Sequence, residues 1–463
     1  MKVRVLVLGA TGYIGGRLVP ELLERGHEVV CGARRPSKLD GRPWRDRVEV
    51  VEADVFEPDT LAAAVADVDA VHYLVHSMDG DGDFARRDRQ AAANVRDACA
   101  GADVRRIVYL GGLGQEGDDL SHHLRSRHEV GAVLADGPTP VTELRAAIII
   151  GSGSASFEML RHLVEVLPIM TTPKWVSTRV QPIGVRDVLR YLCEVLEVEE
   201  TAGRVLEIGG PDVLSYAELM HGYAEVAGLR RRVILPVPVL SPGLSSLWIG
   251  LVTPLPTGLA RPLVDSLVNE VIVHDDTMQR LIPRETVPFR TAVEVALERI
   301  QDLDVATTWA SADRRRRGAA PEDPQPDDPD WSGGTIFSEE QRVQVDASAG
   351  TTWTAVCAAV TGRRHAAVGD ERGRWSVREV DPGERLCAHL DVGAPGELWV
   401  TWTVTDAGAG RSILDQQVRF APRGLAGRTG WIATAPVRAA TATSSVRRRA
   451  RAAERVASRR SRG

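Results

Sequence analysis

The sequence predicts an α/β chain: a doubly wound parallel sheet with a substrate lobe, followed by a smaller α+β domain. Three observations carry that expectation. Short apolar runs alternate with amphipathic helical stretches over the first 150 residues. A glycine-rich turn joins the first run to the first helix. A charged, proline-rich stretch then separates this pattern from a second one made of successive strands.

With 463 residues, 43% of them hydrophobic, the chain is too long for one ordinary domain and apolar enough to bury real cores. Strands are expected at 3–8, 28–31, 48–51, 70–75, 106–110 and 141–147, and helices at 14–24, 59–66, 83–100 and 121–134. Such alternation with short connections requires parallel strands, helices on both faces and right-handed crossovers. From about 158 to 290 the pattern loosens into the lobe, with a helix at 185–196, one more strand at 204–208 and a helix at 215–227. Ser215 and Glu218 there have the spacing of a capping box. Residues 1–300 thus read as a nucleotide-binding domain with its lobe, 301–334 as a linker and 335–463 as a second domain. Within the linker, 311–334 holds four consecutive arginines and a Pro/Asp-rich run with little to bury, the composition of a solvated hinge. Beyond it come a strand at 335–345, a helix at 348–360, strands at 374–380, 385–390, 397–404 and 413–420, and a helix-prone Ala/Arg-rich end.

Charge and cysteine usage exclude several classes. Five cysteines lie far apart with no CxxC, which argues against a disulfide scaffold and a thiolate zinc site; no metal site is expected. Net charge is −6, but residues 446–463 carry eight arginines and one glutamate, so the remainder stands at −13. An acidic body argues against nucleic acid as partner. The arginine tail reads as a solvated helix end, with anionic lipid or nucleic acid contact the sharper alternative. The first apolar run is short, contains Arg4 and passes straight into the glycine turn, so it is no signal peptide, and a cytoplasmic protein is expected. Residues 233–260 hold no charge, yet Pro236, Pro238, Pro242, Pro254 and Pro256 interrupt them. The longest proline-free piece, 243–253, would span ~17 Å as a helix against ~30 Å of hydrocarbon. The stretch reads as the wall of an apolar pocket, and peripheral membrane contact, favoured by the flanking arginines 230–232 and Arg261, is the alternative. Trp175 and Trp248 would add wall area or core.

The chemistry is concentrated in Gly9-Ala10-Thr11-Gly12-Tyr13-Ile14-Gly15. Gly9 permits the tight turn, Gly12 lets backbone approach a diphosphate, and Gly15 lets helix and strand pack closely. Backbone N–H groups of Thr11 to Ile14 and the helix N-terminus then receive the phosphates. At the end of the second strand a binder of NAD(H) usually places an acid; here Arg34 and Arg35 follow, with no acid before Asp40. Two guanidinium groups suit a 2′-phosphate, so NADP(H) is preferred over NAD(H). Asp54 and Val55, after the third strand, flank the adenine, and Val75 and His76, after the fourth, complete the cofactor set.

Together these residues resemble the short-chain dehydrogenase/reductase superfamily, in its extended and atypical branches, which include the NmrA-like proteins and the dehydrogenase-like accessory subunit of respiratory complex I. More narrowly, the segments at 73–78, 123–127, 154–158 and 181–183 resemble a bacterial atypical subgroup with an NAD(P)H-binding domain and a C-terminal domain of unknown function. The likeness covers about 1–300; in the second domain Phe420 to Leu425 is its best landmark. The superfamily's usual reductases draw on a Tyr-x-x-x-Lys pair and a serine. None of this chain's six tyrosines has a lysine four residues on, and after the fifth strand stand Gly111 and Gly112 rather than serine. At the matching helix His123 precedes Arg127 by four. Histidine would serve as acid or base, and Arg127 would hold ribose or phosphate; a mere surface pair is the other reading. Asn94, mid-helix, reads as a solvated amide, and the alternative is that it orders water or backbone near the site. Two functions follow: an NADP(H)-dependent oxidoreductase acting on an apolar carbonyl or quinone-like small molecule, or a non-catalytic dinucleotide sensor or assembly factor with a partner protein. The order of elements in the second domain resembles the helix-grip fold of START-like lipid-binding proteins, in which the sheet curls around the last helix and leaves an apolar groove.

Overall fold

In the computed structural model, residues 2–76, 84–115, 117, 120–172, 174–236, 257–305, 336–393 and 395–460 are described. The chain divides into two units, Met1–Gly333 and Gly334–Gly463.

The first unit holds β1 (Arg4–Leu8), β2 (Glu28–Ala33), β3 (Glu49–Glu52), β4 (Ala70–Tyr73), β5 (Arg106–Gly112), β6 (Val141–Ala146) and β7 (Val205–Ile208). They form one sheet in the order β7-β6-β5-β4-β1-β2-β3. Every pairing in it is parallel. The expected strands and helices of the first 150 residues form with only their ends displaced. Between them lie α1 (Tyr13–Glu24), α2 (Pro58–Val65), α3 (Phe84–Ala100) and α4 (His122–Ala135). The lobe adds α5 (Ala155–Val166), α6 (Val185–Glu194), α7 (Tyr216–Val226), α8 (Thr257–Ser266) and α9 (Phe289–Val305). Side chains of a strand alternate between faces. Accordingly Val5 and Val7 pack with Leu18 and Leu22 of α1 and Leu189 of α6. Leu6 and Leu8 pack with Leu61 of α2 and Ala92 and Val95 of α3. A third core, with Phe157, Leu163, Tyr223, Val264 and Phe289, belongs to the lobe. The capping box of Ser215 and Glu218 is formed. Strand order reverses between β1 and β4, and in such sheets ligands bind outside the carboxyl ends at that point.

The second unit holds β8 (Phe337–Val345), β9 (Glu371–Arg372), β10 (Trp375–Asp381), β11 (Arg385–Leu390), β12 (Gly396–Gly408) and β13 (Arg411–Pro422), with α10 (Ala349–Thr361), α11 (Gly424–Ala433) and α12 (Ala435–Arg460). The sheet is antiparallel, in the order β8-β13-β12-β11-β10-β9, so its first strand lies beside its last. That order, with a long final helix packed on the sheet, gives an antiparallel sheet domain with the expected succession of elements. Between sheet and helices, Trp353, Trp402, Trp431, Leu414 and Phe420 pack as a core. One expectation is corrected here. The arginine-rich end is not simply solvated: Val446, Ala450 and Ala453 recur at helical spacing and are buried in this core, while Arg447, Arg448 and Arg451 face out.

All five cysteines are free and buried, and burial pushes the Cys31 thiol up to about 12. Among the described residues no helix is long and apolar enough to cross a membrane. Ser77 and Met78, most of the 233–260 stretch with Trp248, and most of the linker lie outside the described residues. Trp175 is core, edge-on to Tyr216 at 5.7 Å.

Candidate dinucleotide and acceptor site

The glycine turn is dictated by contact. Gly9 has φ +96°, and a Cβ on it would lie 2.8 Å from the Leu74 carbonyl oxygen. A Cβ on Gly15 would lie 2.2 Å from the Gly9 carbonyl oxygen, so β1 and α1 can approach this closely only through glycine. The Gly12 N–H donates to the Gly9 carbonyl at 2.9 Å, closing the turn. Gly12 caps α1 with no side-chain hydrogen bond, and the first helical turn contains no acid. A turn of this shape at the N-terminus of α1, with no acid beside it, fits a dinucleotide diphosphate. Thr11 is half-buried in the same turn. Arg17 folds back instead of reaching out: its guanidinium stacks 4.2 Å from the Tyr13 ring centre and donates to the Tyr13 carbonyl at 3.2 Å.

Arg34 and Arg35 follow β2 directly and are exposed. Asp54 caps the turn after β3, its Oδ1 accepting from the Phe56 N–H at 3.0 Å. Asn94 is not the solvated amide expected from its position. Its Nδ2 donates to the Val55 carbonyl at 2.8 Å and Gln90 donates to its Oδ1 at 2.9 Å, pinning the loop after β3 to α3.

A cavity of about 470 Å³ opens at the carboxyl ends of β1, β4, β5 and β6. Gly12, Tyr13, Ile14 and Gly15 form one side, and Leu124, Met159, Tyr216, Leu263 and Leu267 an apolar side. His76, His123 and Arg127 also line it. The structure therefore gathers Gly12 to Gly15 and both expected catalytic residues around one space, while Gly9, Thr11, Arg34, Arg35, Asp54, Val55 and Val75 are not among its lining. His76 Nδ1 lies 3.0 Å from Asp88 Oδ2. The His76 and His123 rings are 5.4 Å apart. Arg127 donates to the Leu110 carbonyl and lies over the Tyr109 ring at 5.1 Å. The Tyr109 hydroxyl donates to the Arg127 carbonyl at 3.1 Å. His122 instead packs edge-on against Phe84 at 5.0 Å.

Burial dominates the electrostatics. It holds His76 below the usual histidine range; Arg127 adds to this and Asp88 opposes it. Burial, with His76 and Arg127 nearby, drives His123 down to about 3. Burial also raises the phenols of Tyr73 and Tyr109 far above the ordinary tyrosine value. Among the described residues no group of His, Cys, Asp and Glu could hold a metal ion. Asp88 was missed in the sequence, yet a signal existed: it falls on the buried stripe of α3 with Ala91, Ala92, Val95 and Cys99. A carboxylate on an apolar stripe calls for a partner.

Fold and site together define a dinucleotide-binding domain carrying an apolar cavity. Residues 9–146 match the NAD(P)H-binding family. The chain is 29% identical over 225 residues to the chloroplastic divinyl chlorophyllide a 8-vinyl-reductase of Zea mays, a match spanning 45% of this chain and only 55% of that protein. It is 23% identical over 232 residues to the photosystem II assembly factor Ycf39 of Trieres chinensis, covering 50% of this chain and 70% of that one. In fold it resembles the NADPH-dependent quinone oxidoreductase QOR2 of Escherichia coli complexed with NADPH, with TM-score 0.52, 21% identity, 63% of this chain and 99% of that one. Residues 9–146 thus carry the match to the NAD(P)H-binding family, and the chain spans about half the length of the vinyl-reductases it resembles.

Proposed function

We propose that the protein is an NADPH-dependent reductase of an apolar carbonyl or quinone-like acceptor. The observation that carries this reading is that an uncapped glycine turn and two buried imidazoles face one largely apolar cavity. Gly9, Gly12 and Gly15, with the amides around Thr11, hold the diphosphate. Arg34 and Arg35 take the 2′-phosphate, and Asp54 and Val55 border the adenine, in a loop that Asn94 keeps in place. The dihydronicotinamide supplies hydride. Leu124, Met159, Leu263 and Leu267 exclude water from the acceptor and select for apolar surface. His123 was expected from the sequence to give the proton. Its burial beside Arg127 keeps it neutral, which suits orienting the acceptor oxygen by a hydrogen bond. Arg127, held by the Leu110 carbonyl, supports negative charge growing on that oxygen. The similarity to an assembly factor favours a second reading, a nucleotide-sensing partner protein without turnover.

Calorimetric titration with NADPH and NADH, followed by NADPH oxidation assays with quinones and enones, tests this. The expected outcome is tighter NADPH binding and turnover with at least one apolar acceptor. Arg34→Ala with Arg35→Ala should weaken NADPH about 10- to 100-fold and leave NADH unchanged. Equal affinity for both nucleotides in the parent would remove the 2′-phosphate assignment. Tight binding without oxidation, together with a co-purifying protein, would select the sensor.

A further inference from the structure

Two imidazoles face the cavity, and His76 alone of the two is backed by a carboxylate at hydrogen-bond distance. Asp88 is buried in α3, its side chain 4% exposed, and its Oδ2 stands 3.0 Å from His76 Nδ1. An ionised carboxylate can only accept, so the proton of that bond sits on Nδ1. Nε2 is then the nitrogen that gains or gives a second proton. Nε2 is buried and has no hydrogen-bond partner among the described residues. A buried ring nitrogen without a partner is costly unless a ligand answers it. Its place, just past the end of β4 at the switch of strand order, is where a ligand of this sheet binds.

Resting on the reductase reading above, we propose that Asp88 and His76 form the proton-delivering dyad of this site, with His76 Nε2–H protonating the acceptor oxygen. The balance is as follows. The acceptor carbon takes hydride, with its electron pair, from the dihydronicotinamide, which is oxidised. The C=O π pair moves onto oxygen and takes the proton from Nε2. The products are an alcohol, the oxidised nicotinamide and a neutral His76, still donating Nδ1–H to Asp88. Water then reprotonates Nε2. Asp88 supports the imidazolium that the step consumes, and it fixes the ring's orientation; His76 touches the acceptor, and Asp88 is a positioning residue. Among the described residues, the groups facing His76 are Asp88 from α3 and His123 and Arg127 from α4.

Reduction requires the imidazolium, so kcat/KM should fall as pH rises through the His76 titration, which lies below the ordinary histidine range. His76→Gln should lower kcat about 100- to 10,000-fold. Free imidazole should restore part of the activity of His76→Ala. Asp88→Asn should move the pH limb to lower pH, because it removes the charge that favours the imidazolium; a purely structural loss would lower the rate and leave the limb in place. Nitrogen NMR of the nucleotide-free protein should show His76 as the Nδ1–H tautomer, and Asp88→Asn should lose it. A His76→Gln enzyme within tenfold of the parent, an unmoved limb in Asp88→Asn, or the opposite tautomer in the parent would each overturn the dyad while leaving the reductase reading intact. A parent that binds NADPH and oxidises it with no acceptor would overturn the reductase reading, and the dyad with it.

Discussion

At the carboxyl ends of β1, β5 and β6 the side chains are small, Gly12, Gly111, Gly112 and Ala146 among them, and about 470 Å³ stays open; in the second unit, Trp353, Trp402, Trp431 and Phe420 occupy the hollow between sheet and helices. The contrast teaches that backbone topology offers a hollow and side-chain volume decides whether it is kept. Proteins pack to near-crystalline density, so an open cavity bordered by buried polar groups is a feature that the sequence must maintain. The first unit does so with glycine and alanine at the strand ends. The second packs the space between its sheet and helices and locks that packing: the Trp402 indole N–H donates to Gln416 Oε1 at 2.8 Å, and the Arg449 guanidinium lies 4.7 Å from its ring centre. Its open cavity of about 700 Å³ is lined instead by polar strand residues such as Thr401, Thr403 and Gln417.

The largest effect that could break this contrast is expected from Trp402→Ala. Emptying that site should cost the second unit about 3–5 kcal/mol. It would also leave Gln416 Oε1 without its donor. Scanning calorimetry should show a lowered transition while the NADPH affinity of the first unit stays unchanged; a parallel fall in affinity would mean that the two interiors are not independent. A second measurement uses acid. His72 is fully buried in the first unit, with Nε2 2.9 Å from the Leu192 carbonyl, and burial lowers it to about 4. The unfolded chain binds the proton more readily, so stability is complete above about pH 6.5 and is lost as pH falls towards 4, by about 3 kcal/mol. Melting temperature against pH should show that slope, and His72→Gln should flatten it. The smallest effect sharpens the picture of the cofactor loop: Asn94→Ala should cost about 1 kcal/mol by freeing the Val55 carbonyl, and should weaken nucleotide binding modestly in calorimetry.

Local signals made the framework legible. β1 to β6 announce themselves as apolar runs between turn residues, and Ser215 with Glu218 announces its cap, because each depends on residues near in sequence. The glycine turn was readable for the same reason: the positive φ of Gly9 and the contact of Gly15 with the Gly9 carbonyl arise within seven residues, although Gly9 also meets Leu74. The pairing of His76 with Asp88 was not readable, since it depends on how α3 is rotated against β4. The choice between the two readings of Asn94 was closed to the sequence for a related reason, as its partner is a backbone carbonyl on another element. The burial of the arginine-rich helix was hidden by charge density; its apolar stripe consists of small residues, which carry little hydrophobic signal.

In the second unit Phe337 pairs with Phe420 and Val345 with Ser412, so β8 has a single neighbour, and that neighbour is the last strand of the sheet. During synthesis β8 leaves the ribosome with no strand to join until β13 has followed it. Closing so long a loop before any reward makes this a slow step, and the waiting edge is open to other nascent chains. In the first unit β1 finds β2 at once, so its nucleus can form while the rest is still being translated.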